Sequence, residues 1–484
     1  MATADAAVSL PPDVARRRRL ILVATILGSS MAFVDGSVVN IALPTIGRDL
    51  HAGLASQQWI MLSYSLAVAS LYIVSGALGD RYGRWRLFVL GVAGFAAASA
   101  LAAAAPSTDL LITARVLQGV AGALLTTNSL ALLRATYVED SGRAVGQWTA
   151  WSGISTMLGP PAGGLLVQYA SWRWVFLINL PGAAVALLAA WGGRGSEALP
   201  QRPRPLQPAG AATIALTFGA LTYGLIEGGQ AGFRSVWWAF VLAAVGLALF
   251  VVGERSSEEP ILPVGLLREP VFLAANAYTL LVYAALGGVT FYLALYLQSG
   301  AVGYTPSRAS LIFLPISLVM FVLAARFGRL ADRDGPRRYL TTAPVLMSAG
   351  FLMLTVVTTT NPIVPLPGVL VLSLGLAMLV APITATALRA APDELAGLAA
   401  GVNTTVSRLG GLIATPLLGV IITLTFASAT AHHGVDPFAK HLTADQQHAT
   451  VDAFRAAVAG SILLSLGGSV ISWLWLPNRP EKDT

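Results

Sequence analysis

The chain has 484 residues, 55% of them hydrophobic and 11% charged, with a mean hydropathy of +0.70; soluble domains carry about 25% charged residues, so water is not its main solvent. The net charge of +7 is carried by short arginine clusters in alternate loops, which is the positive-inside pattern of a membrane protein and not a nucleic-acid patch. The absence of cysteine excludes disulfides and thiolate metal sites, and no G-x-x-x-x-G-K-[ST] loop offers ATP as direct fuel.

Fourteen apolar runs are long enough to cross about 30 Å of hydrocarbon. The first, about 20–44, follows the basic Arg16 to Arg19. It is too long for the core of a cleavable signal and is read as a span whose N-terminus stays in the cytoplasm. Asp35 lies near its middle between Phe33, Val34 and Val38, with Asn40 further on. An ionised side chain there costs about 2.5–3.5 kcal/mol on insertion scales, so Asp35 is expected to face an interior cavity. There it can exchange protons, attract a cationic substrate, or only tie two helices together. The second span, about 57–79, ends in the turn GALGDRYGRWR, Gly76 to Arg86. Gly79 and Gly83 permit a tight reversal. Asp80 can accept hydrogen bonds from arginines such as Arg81 and Arg84, or from a helix N-terminus. Such contacts latch two helices on the cytoplasmic side, or merely anchor the turn among headgroups.

The third and fourth spans follow at about 86–105 and 109–133. The fourth carries Arg115 and, one turn on, Gln118. Movement of the Arg115 cation can set when Asp35 releases a proton; alternatively Arg115 is a static partner of a carbonyl or of Asp109. The fifth span, about 143–168, opens with Trp148 and Trp151, whose role is ambiguous. It also contains GPPAGG, where Gly159, Gly163 and Gly164 allow close backbone approach and Pro160 and Pro161 kink the helix. The sixth span is about 172–192. A Pro/Arg-rich linker (200–210) leads to two further spans, about 209–227 and 235–253, and Glu227 at the end of the first is expected at an interface. The remaining six spans are about 271–298, 308–330, 339–358, 364–388, 397–426 and 454–476. The ninth is rich in aromatics; Tyr283, Phe291 and Tyr292 are candidates to line a cavity for bulky ligands, while Tyr278 and Tyr296 read equally as interfacial belts. The thirteenth adds Asn403 and Arg408. His51, His432, His433, His441 and His448 fall in loops and read as solvated polar residues before a metal site.

A second turn, GRLADRDGPRR from Gly328 to Arg338, repeats the first 252 residues later. Asp80 falls on Asp332, Arg81 on Arg333, Gly83 on Gly335 and Arg86 on Arg338, while Arg84 becomes Pro336. At an offset of 255, Gly146, Pro161 and Gly164 fall on Gly401, Pro416 and Gly419. The chain is therefore built twice. The expected organisation is a cytoplasmic tail (1–19), a six-helix bundle (20–192), a linker with two inserted helices (193–270), a second six-helix bundle (271–476) and a cytoplasmic tail (477–484). The inserted pair has no counterpart; if it is peripheral, its deletion leaves the cavity intact. An even span number puts the basic turns at 80–86, 194–204, 254–269 and 331–338 in the cytoplasm with both termini.

Five segments in order carry a resemblance: VDGSVVNIALP from Val34 to Pro44, the turn at Gly76, RVLQGVAGA from Arg115 to Ala123, GPPAGG, and WRWVFLINLP from Trp172 to Pro181. Together they resemble the major facilitator superfamily, and within it the fourteen-span drug:proton antiporter branch. The resemblance implies an all-α fold of two six-helix bundles with two extra inserted helices. It implies proton coupling through Asp35, Arg115 and Gln118. Gly76, Asp80, Arg81, Gly83, Arg84, Asp332 and Arg333 become a cytoplasmic gate, and Gly159 to Gly164 the bending antiporter helix. The implied function is proton-driven efflux of drugs or other small amphipathic compounds across the cell membrane, with no cofactor beyond the proton gradient. Its partners are the bilayer, protons and a small molecule, with no nucleic acid, in a monomer. Alternatives are an exporter dedicated to one antibiotic or metabolite, and a proton-coupled nutrient symporter. A membrane-embedded enzyme such as a lipid transferase needs acids or histidines clustered at one interface, which this chain does not offer.

Overall fold

In hydrocarbon a backbone must satisfy its own polar groups, which turns apolar runs into helices. The computed structural model describes residues 11–138, 140–195, 208–257, 266, 268–392, 395–430 and 435–478. Most of the Pro/Arg-rich linker, most of the basic 254–269 loop, His432, His433 and the tail with Arg479 and Lys482 lie outside the described residues. These residues form fifteen helices: α1 (Pro12–Asp49), α2 (Leu54–Tyr82), α3 (Arg84–Ala104), α4 (Thr108–Thr136), α5 (Ser141–Tyr169), α6 (Trp174–Leu177), α7 (Asn179–Gly192), α8 (Pro208–Ala231), α9 (Trp237–Ser256), α10 (Pro270–Gln298), α11 (Pro306–Asp334), α12 (Pro336–Leu354), α13 (Leu366–Arg389), α14 (Ala396–Thr430) and α15 (Ala444–Trp475). Each predicted span falls on one helix, except that α6 and α7 share the sixth.

The helices outrun the apolar stretches because charged turns continue them beyond the hydrocarbon. Among the described residues eleven helices, counting α6 with α7, are long and apolar enough to cross a membrane, and α2 makes a twelfth when its two bent arms count as one. α12 starts inside the charged turn and carries Arg337 and Arg338, and α5 is rich in Gly, Ser and Thr with two internal prolines; neither is among them.

The sequence repeat reappears as a packing repeat. α1 packs on α5 and α7, and α4 on α2 and α3; in the same pattern α10 packs on α14 and α15, and α13 on α11 and α12. The two sets meet where α5 lies on α11 and α2 on α14. Of the inserted pair, α9 packs on α8, while α8 is not peripheral, since it lies against both α2 and α14. Its Ile226 is buried with Leu62 of α2 and Leu412 of α14, and its Glu227 accepts a 3.4 Å hydrogen bond from the Trp59 indole of α2.

Both charged turns have one backbone form. Gly83 sits at φ 100° and donates its N–H to Gly79 O at 2.9 Å; Gly335 sits at φ 94° and donates to Ala331 O at 3.0 Å. A left-handed residue closes one helix and immediately opens the next, which requires glycine at that one position.

Candidate functional site

The Asp35 carboxylate does not face an open cavity. It is fully buried inside the first set of helices, as are Arg115 and Gln118. Arg115 Nη1 donates to Asp35 Oδ2 and to Gln118 Oε1 at 2.9 Å, while Arg115 Nε donates to the Ile60 carbonyl of α2 at 3.2 Å. Gln118 Nε2 reaches Asp35 Oδ1 at 3.2 Å and Ser99 Oγ of α3 at 2.8 Å. Asn179 of α7 donates to Asp35 Oδ1 and to Ser99 Oγ, each at 3.3 Å. The guanidinium lies 4.5 Å from the Tyr64 ring centre and 5.9 Å from that of Phe176, so aromatic faces complete its surroundings. Of the partners expected for Arg115, Asp35 and a carbonyl are present, and Asp109 is not.

This cluster draws on α1, α2, α3, α4, α6 and α7. Charge makes Asp35 and Arg115 visible in an apolar sequence. Ser99, Asn179 and Tyr64 are not among the residues the sequence alone marks as functional. Asn179, a lone amide in WRWVFLINLP, was the readable signal; Ser99 sits among alanines and carries none. Chemically the arrangement is a desolvated ion pair whose carboxylate also accepts two amide hydrogen bonds. Protonating Asp35 cancels the charge that holds Arg115, which ties a proton to the packing of six helices.

The two turns use their acids differently. Asp80 pairs within its own turn with Arg84, at 2.8 Å, and Arg84 also donates to the Ala131 carbonyl of α4 at 3.3 Å. In the second copy Pro336 replaces that arginine, and Asp332 instead pairs directly with Arg389 at the end of α13, at 2.7 Å. Each contact thus ties the turn to the packed counterpart helix, α4 or α13, within one set; neither reaches the opposite set. Gly76 packs on Thr127, and a Cβ at Gly79 would stand 1.8 Å from Asn128 Oδ1. Arg81 lies by its neighbour Tyr82, and Arg333 pairs with Asp334 on the surface at 2.9 Å.

Hydrogen bonds between the two sets lie on the side away from these turns. Asn40 Nδ2 donates to Thr290 O at 3.1 Å, Gln298 Nε2 to Ile41 O at 3.1 Å, and Gln57 Nε2 to Asp436 Oδ2 at 3.2 Å. Gln58 Nε2 donates to Tyr292 Oη at 2.6 Å, whose hydroxyl passes on to Thr415 O at 2.5 Å. Ser307 of α11 binds Gln168 of α5 through both its amide and its hydroxyl. Of the small residues of α5, Gly164 serves the same seam, while Gly159 and Gly163 pack on α1 within their own set. Added Cβ atoms would strike Ser37 of α1 from Gly159, Val38 from Gly163, and Ser310 and Pro306 of α11 from Gly164. The helix continues through Pro160 and Pro161. Toward the charged turns no hydrogen bond between the two sets is found among the described residues, and a Cβ at Gly146 or Gly153 of α5 or at Gly401 of α14 would meet nothing within 4 Å. The seam is closed on one side and parted on the other.

Phe291 and Tyr292 are buried in the closed part instead of lining the open one. Tyr296 stacks on Phe454 with ring centres 4.1 Å apart, and Tyr278 is buried too. Asn403 is buried between α14 and α10, donating to Thr279 Oγ1 at 2.9 Å. Tyr283 is half-buried against the core. Trp148 donates to Ser29 at 3.0 Å and meets Phe33 edge-on, while Trp151 is exposed. Arg408 is half-buried with no hydrogen bond or ion pair to another described residue.

Residues 25–415 match the family model for the Major Facilitator Superfamily. The chain is 35% identical over 438 residues to the multidrug resistance protein Stp of Mycobacterium tuberculosis, covering 89% of this chain and 81% of that protein. It is 34% identical to the puromycin resistance protein pur8 of Streptomyces alboniger, covering 95% and 92%, and 32% identical to the multidrug efflux pump LfrA of Mycolicibacterium smegmatis, covering 88% and 84%. In structure it is similar to a bacterial homologue of the human lysosomal transporter Spinster, with a TM-score of 0.69 at 16% identity, covering 96% of this chain and 97% of that one.

Proposed function

This chain belongs to the Major Facilitator Superfamily, and we propose that within it the protein exports drugs or other small amphipathic compounds in exchange for protons. The observation that carries this reading is the buried Asp35–Arg115 pair in a chain whose relatives are named for multidrug and antibiotic resistance. An acid that can lose its charge inside a bundle gives the proton a place to act. The seam, closed at Gly164 and parted at Gly153 and Gly401, gives that act something to move. In this reading α1 to α7 and α10 to α15 are two six-helix halves that rock about a central cavity. The chain crosses the membrane fourteen times with both termini in the cytoplasm, so the parted side faces inward. It acts as a monomer, without a cofactor.

The cycle starts from the state described here. A compound enters from the cytoplasm, the halves close behind it and part on the outer side, and a proton taken up at Asp35 returns the protein inward. A proton crossing about 150 mV yields roughly 3.5 kcal/mol, enough for about a 300-fold gradient of a neutral solute. A relative named for puromycin alone favours a second reading, an exporter dedicated to one compound.

One experiment separates these. Cells with and without the protein are challenged with a panel of dyes and antibiotics, with and without a protonophore. Protonophore-sensitive efflux of several unrelated compounds is expected; efflux of a single compound selects the dedicated exporter. Accumulation of compounds inside the cell, driven by the proton gradient, would overturn both.

A further inference from the structure

We propose that Arg408 gives the cavity a preference for amphipathic compounds bearing a negative charge; the inference rests on the exporter reading and names its substrate class. Arg408 lies about three turns into α14, on the stripe that continues through Leu412, Thr415 and Gly419. That stripe faces α2: Leu412 packs with Leu62, Thr415 O holds the Tyr292 hydroxyl that binds Gln58, and Gly419 abuts Gln58. Arg408 is the next position along it, where the seam begins to part and two turns before Gly401 opens onto free space. Half-buried on this stripe, Arg408 stands on the side of α14 turned to the first set of helices.

Three acids of the two sets already have a cationic partner. Asp35 is held by Arg115, Asp80 by Arg84 and Asp332 by Arg389, while the Glu227 carboxylate of α8 is turned to Trp59. Arg408 has no such partner among the described residues. A cation at this depth is costly, and orientation in the membrane needs arginines only in the loops. A planar guanidinium at a low-dielectric wall fits a carboxylate or sulfonate in bidentate fashion. Of the acids named, only Glu227 lacks a cationic partner, its carboxylate accepting instead from the Trp59 indole on the α8 side.

The test uses purified full-length protein and three matched probes: 2-naphthoate, 2-naphthamide and the 2-naphthyl-trimethylammonium cation. Wild type is expected to bind naphthoate about tenfold more tightly than the cation. Arg408→Gln should lose about tenfold in naphthoate affinity while keeping naphthamide binding, which reports an intact cavity; Arg408→Lys, a point charge without the bidentate fork, should fall between the two. Equal or tighter binding of the cation by wild type, no saturable naphthoate binding, or naphthoate affinity unchanged in Arg408→Gln overturns the proposal. Proteoliposomes with an imposed pH gradient separate the two layers. Export of the cation but not naphthoate removes the Arg408 role and leaves the exporter. Naphthoate binding that Arg408→Gln weakens, without any export, keeps the site and removes the exporter.

Discussion

Asp35 and Arg115 have no water to fall back on, so neither can lose its partner cheaply. Breaking a buried ion pair costs about 3–5 kcal/mol because the surviving charge is stranded. Asp35→Asn keeps a side chain of the same shape but leaves Arg115 with an uncompensated charge beside Tyr64 and Phe176. Thermal unfolding in detergent should show Asp35→Asn and Arg115→Gln each clearly destabilised. The double variant should be more stable than the sum of the single losses predicts, and all three should lack proton-driven efflux. Additive losses would mean the pair is not coupled in the folded protein. Gly79 offers a second test at this scale. A Cβ there meets Asn128 Oδ1, and Asn128 is itself fixed to Ser75 and Leu124. Gly79→Ala should therefore cost about 1–3 kcal/mol by overpacking in the same unfolding measurement, whereas Gly142→Ala, with nothing within 4 Å, should cost little. The two charges of the pair were legible in the sequence because charge is conspicuous against hydrocarbon. Their geometry was not: Asp35 reads the same whether it faces a cavity or a bundle core, and Ser99 reads the same as any small residue at a helix contact.

At the scale of elements, the duplicated turns were legible to the glycine, since Gly83 and Gly335 alone supply the left-handed backbone. The place of α8 was not legible, because no repeat partner predicts where an inserted helix docks. Its Ile226 fills the α2–α14 seam, so a chain lacking 208–256 should be markedly less stable and lose transport, as read by gel filtration and vesicle assays. A deletion that keeps both would make the pair dispensable. Beside α8 the loop before α15 brings Asp436 onto a cavity of about 480 Å³ shared with α2, α8 and α14. Burial holds the Asp436 carboxyl above its ordinary value, opposed by hydrogen bonds from the Phe438 amide and Gln57. The closed seam therefore binds a proton more readily than an exposed aspartate near 3.9 does. By linkage, closure on this side strengthens as pH falls through the window above that value, and weakens as pH rises through it. A cysteine at Thr423, on the wall of this cavity, should label more slowly, relative to a freely exposed cysteine at the same pH, as the pH is lowered toward the ordinary aspartate range. Asp436→Asn should flatten that dependence. An unchanged slope in the variant would assign it to another group.

For the whole molecule, one set of contacts decides which side is open. Hydrogen bonds donated by Asn40, Gln57, Gln58 and Gln298, and those that Gln168 accepts from Ser307, join the two sets of helices beside the α5–α11 and α2–α14 packing. The twofold architecture could be read from matched turns, but the open side could not, because the same side chains serve both states of a rocking molecule. Gly164 is the most exacting point of the closed seam: a Cβ there would stand 2.2 Å from Ser310 Oγ and 2.8 Å from Pro306 O. A leucine at that position cannot be accommodated while α5 and α11 touch, yet it is harmless once they separate. Gly164→Leu should therefore penalise the state described here by about 1–3 kcal/mol and shift the population toward the opposite opening. The cysteine-free sequence makes this measurable with single cysteines at Gly401, on the parted side, and Thr415, on the closed one. In the parent, Gly401→Cys should label from the charged-turn side and Thr415→Cys should resist. With Gly164→Leu added, the first rate should fall and the second rise, so that their ratio changes by about tenfold for 1.4 kcal/mol of shift. If both rates stay as in the parent, the α5–α11 contact does not control the seam, and the polar bonds at α2 and α10 must.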